Sequence, residues 1–214
     1  MKKSIKGILV LFALAVVAMS FSLLSSDFTE LPIGSQIPKA DRKMKNVDGK
    51  EMSLSDAQKK NGLLVIFSCN TCPFVVGSSD FPGWEKEYNA LYDQVTEGEI
   101  GMVLLNSNEA KRKDEDSFKS MKEHAAAKGY KMPYLVDQNS ELADVFGART
   151  TPHVFLFDGY GELVYKGSID NSWDPKRQEL DRYLDKALKS LLGGKKIETG
   201  DTQPKGCSIK RVAK

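Results

Sequence analysis

Cysteine and histidine are scarce in this chain, whose 214 residues include three cysteines and two histidines. A structural zinc site needs four ligands, usually two Cys or His pairs at matching spacing. Cys69 and Cys72 form one such pair, but Cys207, His124 and His153 do not stand at ligand spacing from one another. The sequence therefore argues against a zinc domain, and we expect neither a metal nor another cofactor at the pair.

An excess of charge of either sign is also missing. The formal net charge is +2, from 31 basic and 29 acidic residues. Lys2, Lys3 and Lys6 lie among the first 26 residues, and without them 28 basic residues face 29 acidic ones, a net charge of −1. This balance does not indicate a nucleic acid partner or an anionic surface.

Long apolar runs are absent outside the N-terminal segment. A basic stretch, residues 1–6, precedes the almost wholly apolar residues 7–19. This pattern predicts that residues 1–26 are a signal peptide or a membrane anchor. Ala18-Met19-Ser20 offers a cleavage site, whereas the uncleaved apolar stretch, residues 7–24, is near the lower limit for crossing a membrane. We expect export to the periplasm or the extracytoplasmic face, with membrane contact only through this segment. No cysteine precedes Cys69, so we expect no lipid on an N-terminal cysteine.

The rest of the chain is predicted to form one domain. Pro32, Gly34 and Pro38 make residues 27–39 a linker without regular structure. The domain follows over residues 40–194, and residues 195–214 form a polar, basic tail. There is no internal repeat.

The most informative stretch is residues 63–73, Leu-Leu-Val-Ile-Phe-Ser-Cys-Asn-Thr-Cys-Pro. Its apolar half is typical of a strand buried on both faces of a parallel sheet. Cys69 and Cys72 follow directly, and Pro73 suits the first turn of a helix. A redox dithiol has this arrangement, because a helix start stabilises a thiolate and the spacing lets one thiol attack a disulfide on the other. A static disulfide is the alternative, but it would close too short a loop to stabilise the fold much.

Strands and helices are predicted to alternate along the domain. The expected strands are residues 63–67, 100–105, 134–136, 153–157 and 162–166. The expected helices are residues 84–95, 114–128, 140–146 and a last one that opens at Asp174-Pro175 and carries an apolar stripe from Leu180 to Leu192. A hairpin around Asp48-Gly49 precedes them, and Asp158-Gly159 turns the chain into an antiparallel edge strand. The order predicts a three-layer α/β fold with a mixed central sheet and an N-terminal hairpin extension.

Three segments resemble the thioredoxin-like superfamily, and within it the redoxin or peroxiredoxin-like group of the alkyl hydroperoxide reductase and thiol-specific antioxidant type. They are residues 47–55 in the hairpin, residues 69–73 with the cysteines, and residues 151–158, Thr-Pro-His-Val-Phe-Leu-Phe-Asp. The resemblance implies a thioredoxin fold in which Pro152 is cis and the backbone of Thr151 pairs with an extended substrate. His153 then either lines the substrate groove or packs in the core.

The chain also departs from the family patterns. Asn70-Thr71 replaces the Gly-Pro of thioredoxin, so the direction of electron flow stays open. Residues 63–67 carry no buried carboxylate to accept a proton. If Cys72 aligns with the peroxidatic cysteine of peroxiredoxins, Cys69 stands where those proteins have Thr, which weakens a peroxidase interpretation. Arg149 does not match the arginine of that family, and an exposed loop position is expected for it.

These features predict an exported thiol–disulfide oxidoreductase. Cys69, taken to be nearer the solvent, would attack a substrate disulfide, and Cys72, one turn into the helix, would resolve the mixed disulfide. Its partners would be protein disulfides or dithiols and a second redox protein that supplies or removes electrons. A thiol peroxidase and a metal- or partner-binding module remain as alternatives. Cys207 is a candidate third redox thiol, with an intermolecular disulfide partner and a residue without a role as the alternatives; Gly193-Gly194 would let the tail fold back over the site.

Overall fold

A computed structural model describes residues 29–213 and is organised around a five-stranded mixed sheet. The strands along the chain are β1 (Met44–Lys45), β2 (Glu51–Met52), β3 (Gly62–Ser68), β4 (Ile100–Asn106), β5 (Tyr134–Val136), β6 (Thr150–Thr151), β7 (His153–Asp158), β8 (Leu163–Gly167) and β9 (Cys207–Ser208). The central sheet has the order β5-β4-β3-β7-β8. β3, β4 and β5 are parallel, whereas β7 runs antiparallel to both β3 and β8.

Helices cover both faces of this sheet. They are α1 (Leu54–Ala57), α2 (Pro73–Val76), α3 (Tyr88–Glu97), α4 (Phe118–Lys128), α5 (Glu141–Phe146) and α6 (Tyr183–Leu192), with 3₁₀ turns at Glu85–Glu87, Glu109–Lys111 and Gln138–Ser140. β3 is buried along its whole length, and its side chains alternate between two hydrophobic clusters: Leu64 and Ile66 enter one, Val65 and Phe67 the other. The predicted three-layer α/β fold is confirmed.

The N-terminal hairpin also forms as predicted. β1 pairs antiparallel with β2, and the turn between them places Gly49 at φ 91°, a conformation that glycine adopts without strain. Ser53 then caps α1: its side chain accepts the Asp56 N–H, while the Asp56 carboxylate accepts the Ser53 N–H. This reciprocal cap fixes the entry into β3.

Two helices begin later than the sequence predicts. α4 starts at Phe118 instead of residue 114, because Ser117 is its N-cap and Asp116 is held in a buried polar cluster. α6 starts at Tyr183, so the prediction that Asp174 and Pro175 open it is wrong. Asn171 holds the preceding loop in a non-helical path, as its side chain bonds to the Glu179 carbonyl and the Asp181 N–H.

Two smaller differences concern the ends of predicted helices. The predicted start at residue 84 is replaced by a 3₁₀ turn, and the α-helix follows at Tyr88. Leu180, expected in the apolar stripe of the last helix, is 45% exposed and lies before it. The local pattern in both places marks the helix but not its first residue.

Segments outside the predicted domain pack against it. The Leu31 N–H donates to the Phe146 carbonyl, and Gln36 forms a β-bridge with Glu162. At the other end, β9 pairs antiparallel with β6. The predicted signal or anchor, residues 1–26, lies outside the described residues; within residues 29–213 no helix has the length and apolarity to cross a membrane.

Candidate active site

The two neighbouring cysteines lie where β3 gives way to α2. Cys69 follows the last residue of β3, and Cys72 is the N-cap of α2, with Pro73 in the first turn. Cys69 is 2% exposed and Cys72 is 3% exposed. The two thiols are buried to nearly the same degree, so the expectation that Cys69 is nearer the solvent is not confirmed, and Cys72 stands at the start of the helix, not one turn into it.

Thr151 contacts both cysteines from the opposite side. The Thr151–Pro152 peptide bond is cis, as predicted. The Thr151 hydroxyl lies 3.1 Å from the Cys69 sulfur, and the Cys72 sulfur lies 3.0 Å from the Thr151 carbonyl oxygen. The fold thus brings together Cys69, Cys72 and Thr151, which are far apart in the sequence.

Cys207 completes this group of sulfur atoms. The register of β6 and β9 places Cys207 opposite Thr151, and the Cys207 backbone N–H donates to the Cys72 sulfur at 3.3 Å. Unlike the other two cysteines, Cys207 is only partly buried, and all three are free thiols. The tail therefore occupies the backbone position at Thr151 where an extended substrate was expected.

The cysteines differ in acidity because they share hydrogen bonds. A hydrogen bond from the Cys69 thiol, supported by contacts from Cys207, lowers the pKa of Cys72 to about 5. The same hydrogen bond, burial and the charge of Asp116 raise the pKa of Cys69. Burial and the neighbouring Cys72 raise the pKa of Cys207 to about 11. The lowered pKa of Cys72 favours this residue as the attacking thiolate, whereas the sequence predicts that role for Cys69.

A buried carboxylate holds the turn between the cysteines. Asp116 accepts the Asn70 backbone N–H at 3.0 Å and the side-chain amides of Asn106 and Asn108 at 2.7 and 2.8 Å. The Asn70 amide oxygen in turn accepts the Tyr134 hydroxyl at 2.9 Å. Because Asp116 is fully buried, this network fixes the backbone of the Cys-x-x-Cys turn from behind.

The sequence did not identify this network. Its signal is weak: Asn106 ends β4, and Ser107 and Asn108 follow it at the carboxyl edge of the parallel strands, the edge at which Cys69 follows β3. Arg112 braces the same loop by donating to the carbonyls of Asn106 and Asp116 at 2.7 and 2.9 Å. Asp116 supplies the buried carboxylate that residues 63–67 lack.

His153 does not reach the cysteines. It is fully buried, its ring centroid lies 4.5 Å from that of Phe155, and its Nδ1 accepts the Arg149 N–H at 3.2 Å. Burial lowers the pKa of His153 to about 3. These surroundings match the interpretation of His153 as a packing residue of the core and not the interpretation as a residue that lines the substrate groove. The Arg149 side chain is 63% exposed and pairs with Glu30 at 2.8 Å, away from the thiols.

An aromatic groove begins beside the dithiol. A cavity of about 520 Å³ is lined by Pro73 and by the aromatic rings of Phe74, Phe81 and Trp173. The Lys205 ammonium lies 4.2 Å from the centre of the Trp173 ring. Ser78, Asp80, Ser172 and Arg177 add polar groups to this lining, so the cavity has an apolar wall and a polar rim. Among residues 29–213, no group of three or more His, Cys, Asp or Glu residues is arranged to hold a metal ion.

Comparisons with known proteins agree with this geometry. The model of the family described as Redoxin matches residues 32–184. An uncharacterized conserved protein from Geobacillus kaustophilus is 32% identical, with a TM-score of 0.74, over 86% of this chain and 94% of its own. A hypothetical protein from Sinorhizobium meliloti 1021 is 28% identical, with a TM-score of 0.75, over 87% and 98%.

A more distant structure, described as a thioredoxin-like protein in the oxidized form, is 16% identical. Its TM-score is 0.57 over 77% of this chain and 99% of its own, which is a likeness of fold. No curated protein is significantly similar to the chain. The resemblance that the three sequence segments indicated is confirmed, as is the thioredoxin fold.

Proposed function

The chain belongs to the redoxin family, and on this basis we propose that it is a thiol–disulfide oxidoreductase whose Cys69–Cys72 dithiol exchanges disulfides with protein substrates. One observation carries the proposal: the sulfur atoms of Cys69 and Cys72 both contact Thr151, at 3.1 and 3.0 Å, where β3 gives way to α2, and the hydrogen bond from Cys69 lowers the pKa of Cys72 to about 5. A cysteine with this pKa is a thiolate at neutral pH, which is the nucleophilic form.

Each surrounding residue has a part in the exchange. The Cys72 thiolate attacks one sulfur of a substrate disulfide, and the other substrate sulfur leaves as a thiolate. Cys69 then attacks the Cys72 sulfur, which releases the substrate and forms the Cys69–Cys72 disulfide. Thr151 orients Cys69 through the 3.1 Å contact of its hydroxyl. The groove of Phe74, Phe81 and Trp173 supports the choice of apolar segments as substrates.

The first test is the reduction potential of the pair. The protein is equilibrated in glutathione buffers, quenched by alkylation and analysed by mass. We expect a reversible two-electron couple that Cys69→Ser or Cys72→Ser abolishes, whereas Cys207→Ser retains it. A potential near −270 mV would be that of a reductant, and one near −120 mV that of an oxidant. The absence of any Cys69–Cys72 disulfide across the buffers would contradict the proposal.

A thiol peroxidase is the second candidate. The observation that favours it is the burial of Cys72, which is 3% exposed, because a peroxide is small enough to enter where a protein segment needs the site to open. In that reaction the Cys72 thiolate is oxidised to a sulfenic acid, which then condenses with a second thiol and releases water. Rapid loss of hydrogen peroxide with the reduced protein would support it. Reaction no faster than that of a free thiol at the same pH would rule it out.

We further propose that the domain works outside the cytoplasm and receives or gives electrons through a second redox protein. The basic residues 1–6 and the apolar residues 7–19 support export. Fusion of residues 1–39 to a reporter that is active only after export tests this proposal. An active fusion that loses activity when Lys2, Lys3 and Lys6 become Glu agrees with it, whereas an inactive fusion contradicts it.

A further inference from the structure

The C-terminal tail is built into the candidate active site. Gly200, Thr202 and Lys166 exchange backbone hydrogen bonds, and further along the Ile209 N–H donates to the Arg149 carbonyl. Ile209 is 6% exposed and belongs to the hydrophobic core. The tail is therefore anchored on both sides of Cys207.

Gly206, the residue before Cys207, allows the tail to approach Thr151 closely. A Cβ atom at Gly206 would lie 2.2 Å from the Thr151 carbonyl oxygen, so any other side chain would push the tail away from the site. After Cys207, the Lys210 N–H donates to the side-chain oxygen of Asn108, whose amide donates to Asp116. The network that holds the Cys-x-x-Cys turn thus also holds the tail.

These contacts place the thiols at different depths. Cys69 and Cys72 are both buried, and Cys207 is the partly exposed member, which contacts Cys72. The Cys207 N–H donates to the Cys72 sulfur at 3.3 Å, and the Cys207 thiol is also within hydrogen-bonding reach of that sulfur. A partner that is too large to enter the site meets Cys207 first.

We propose that Cys207 is a third redox thiol that forms a disulfide with Cys72 and relays electrons between the buried pair and the protein surface. The proposal rests on the proposed thiol–disulfide function and adds the route by which the buried pair is reached. It gives the tail a chemical role beyond packing.

The relay consists of thiol–disulfide exchanges that balance. The Cys207 thiolate attacks the Cys72 sulfur of the Cys69–Cys72 disulfide. The Cys69–Cys72 bond breaks, the Cys72–Cys207 bond forms, and the Cys69 sulfur takes up the proton that Cys207 lost. No oxidant or reductant is used in this step.

An external dithiol then completes reduction. One of its sulfurs attacks Cys207 as a thiolate, and Cys72 leaves as a thiolate, the better leaving group of the two. The second thiol of the reductant releases Cys207, and the reductant departs as a disulfide with the two electrons given. In the reverse order Cys207, in place of Cys72, attacks a substrate disulfide that is too large to enter the site, and the pair is oxidised through Cys207.

Digestion with trypsin distinguishes a Cys72–Cys207 disulfide from a Cys69–Cys72 disulfide. Cys69 and Cys72 lie on one tryptic peptide, residues 61–86, whereas Cys207 lies on another, residues 206–210. A Cys72–Cys207 disulfide joins the two peptides, and a Cys69–Cys72 disulfide does not. The experiment uses the full domain with tail, glutathione disulfide as the oxidant, alkylation of free thiols and mass analysis of the digest.

The variants Cys69→Ser and Cys72→Ser form a matched pair, because each keeps Cys207 and one of the two neighbouring cysteines. In Cys69→Ser we expect the joined peptide to form within a monomer, at a rate independent of protein concentration. In Cys72→Ser, which keeps Cys69 and Cys207, we expect no joined peptide. If Cys69→Ser keeps two free thiols, or links only between molecules, the proposal is overturned. Since wild-type Cys69–Cys72 disulfide formation is scored separately, failure of the relay is distinguishable from failure of the proposed function.

Gly206→Ala keeps all three cysteines and tests the approach of the tail. The added Cβ moves Cys207 away from Cys72, so we expect the joined peptide in Cys69→Ser/Gly206→Ala to form at least about tenfold more slowly than in Cys69→Ser. Equal rates would show that the docked tail does not position Cys207, which contradicts the relay. Circular dichroism confirms in each case that the variant is folded.

Discussion

The carboxylate of Asp116 accepts the backbone N–H of Asn70 at 3.0 Å, across 46 residues of sequence. Asn70 lies between the two cysteines, so a loop after β4 determines the conformation of a turn after β3. The same carboxylate contributes to the raised pKa of Cys69 through its charge. The reactive turn is thus supported by a residue that takes no direct part in sulfur chemistry.

Asp116→Ala is expected to destabilise the fold. The change leaves the Asn70 N–H and the amides of Asn106 and Asn108 without their acceptor in a buried site. We expect a loss of about 3 kcal/mol in the free energy of unfolding, measured by urea denaturation. Glu115→Gln is the control, because its side chain is 42% exposed and bonds to the exposed Lys111 and to its own backbone, and it should change stability little. Equal stability of both variants would contradict this account of the turn.

Alkylation of Cys72 is expected to depend on pH in a defined way. With a pKa of about 5, the thiolate predominates above that pH, and the rate falls as the pH drops through it. Iodoacetamide labelling, followed on the peptide of residues 61–86, measures the inflection. In Cys69→Ala the main hydrogen-bond donor is gone, so the inflection should rise by more than about one pH unit. A wild-type inflection near the ordinary value of 9.0 would show that the pair does not share its proton as described.

Thr151→Val is expected to slow the resolution of the mixed disulfide. The Thr151 hydroxyl lowers the pKa of Cys69, which burial and Cys72 raise, so its loss raises that pKa further. We expect resolution by Cys69 to slow about threefold for each unit of this rise. The Cys207→Ser background isolates this step, and acid quenching after addition of glutathione disulfide measures it. Thr150→Val removes a hydroxyl that bonds to the Pro152 carbonyl instead, and an equal effect of the two changes would refute the role of Thr151.

Acid is expected to destabilise the protein through His153. Burial lowers its pKa from 6.5 to about 3, so between these values the unfolded state binds more protons than the folded state. The contribution of His153 is therefore complete above pH 6.5 and declines as the pH falls toward 3. We expect wild type to lose up to about 4 kcal/mol over this range relative to His153→Gln, by urea denaturation at each pH. Parallel pH profiles of the two proteins would contradict the assignment.

Much of the architecture follows from local patterns. The apolar run before Cys69 predicts a buried strand, Asp48-Gly49 predicts a hairpin, and the cis form of Pro152 follows from the resemblance around it. These predictions hold because strand burial and turn conformation depend on residues near one another in the chain. The start of α6 is predicted wrongly, because its true first turn carries no side-chain cap. Asn171 holds the loop before it in a non-helical path through contacts with residues eight and ten positions further along.

The chemistry of the site was decided by the tertiary structure. Cys72 and Cys207 stand 135 residues apart and meet only because β9 pairs with β6. The relative acidity of Cys69 and Cys72 depends on burial, on their shared hydrogen bond and on the charge of Asp116. Each of these quantities depends on the distances between residues that are remote in sequence, and desolvation depends on everything packed around a group. The sequence by itself therefore determined which thiols are candidates and on which fold they lie, and the tertiary structure decided which of them has the lowered pKa and which ones lie within reach of it.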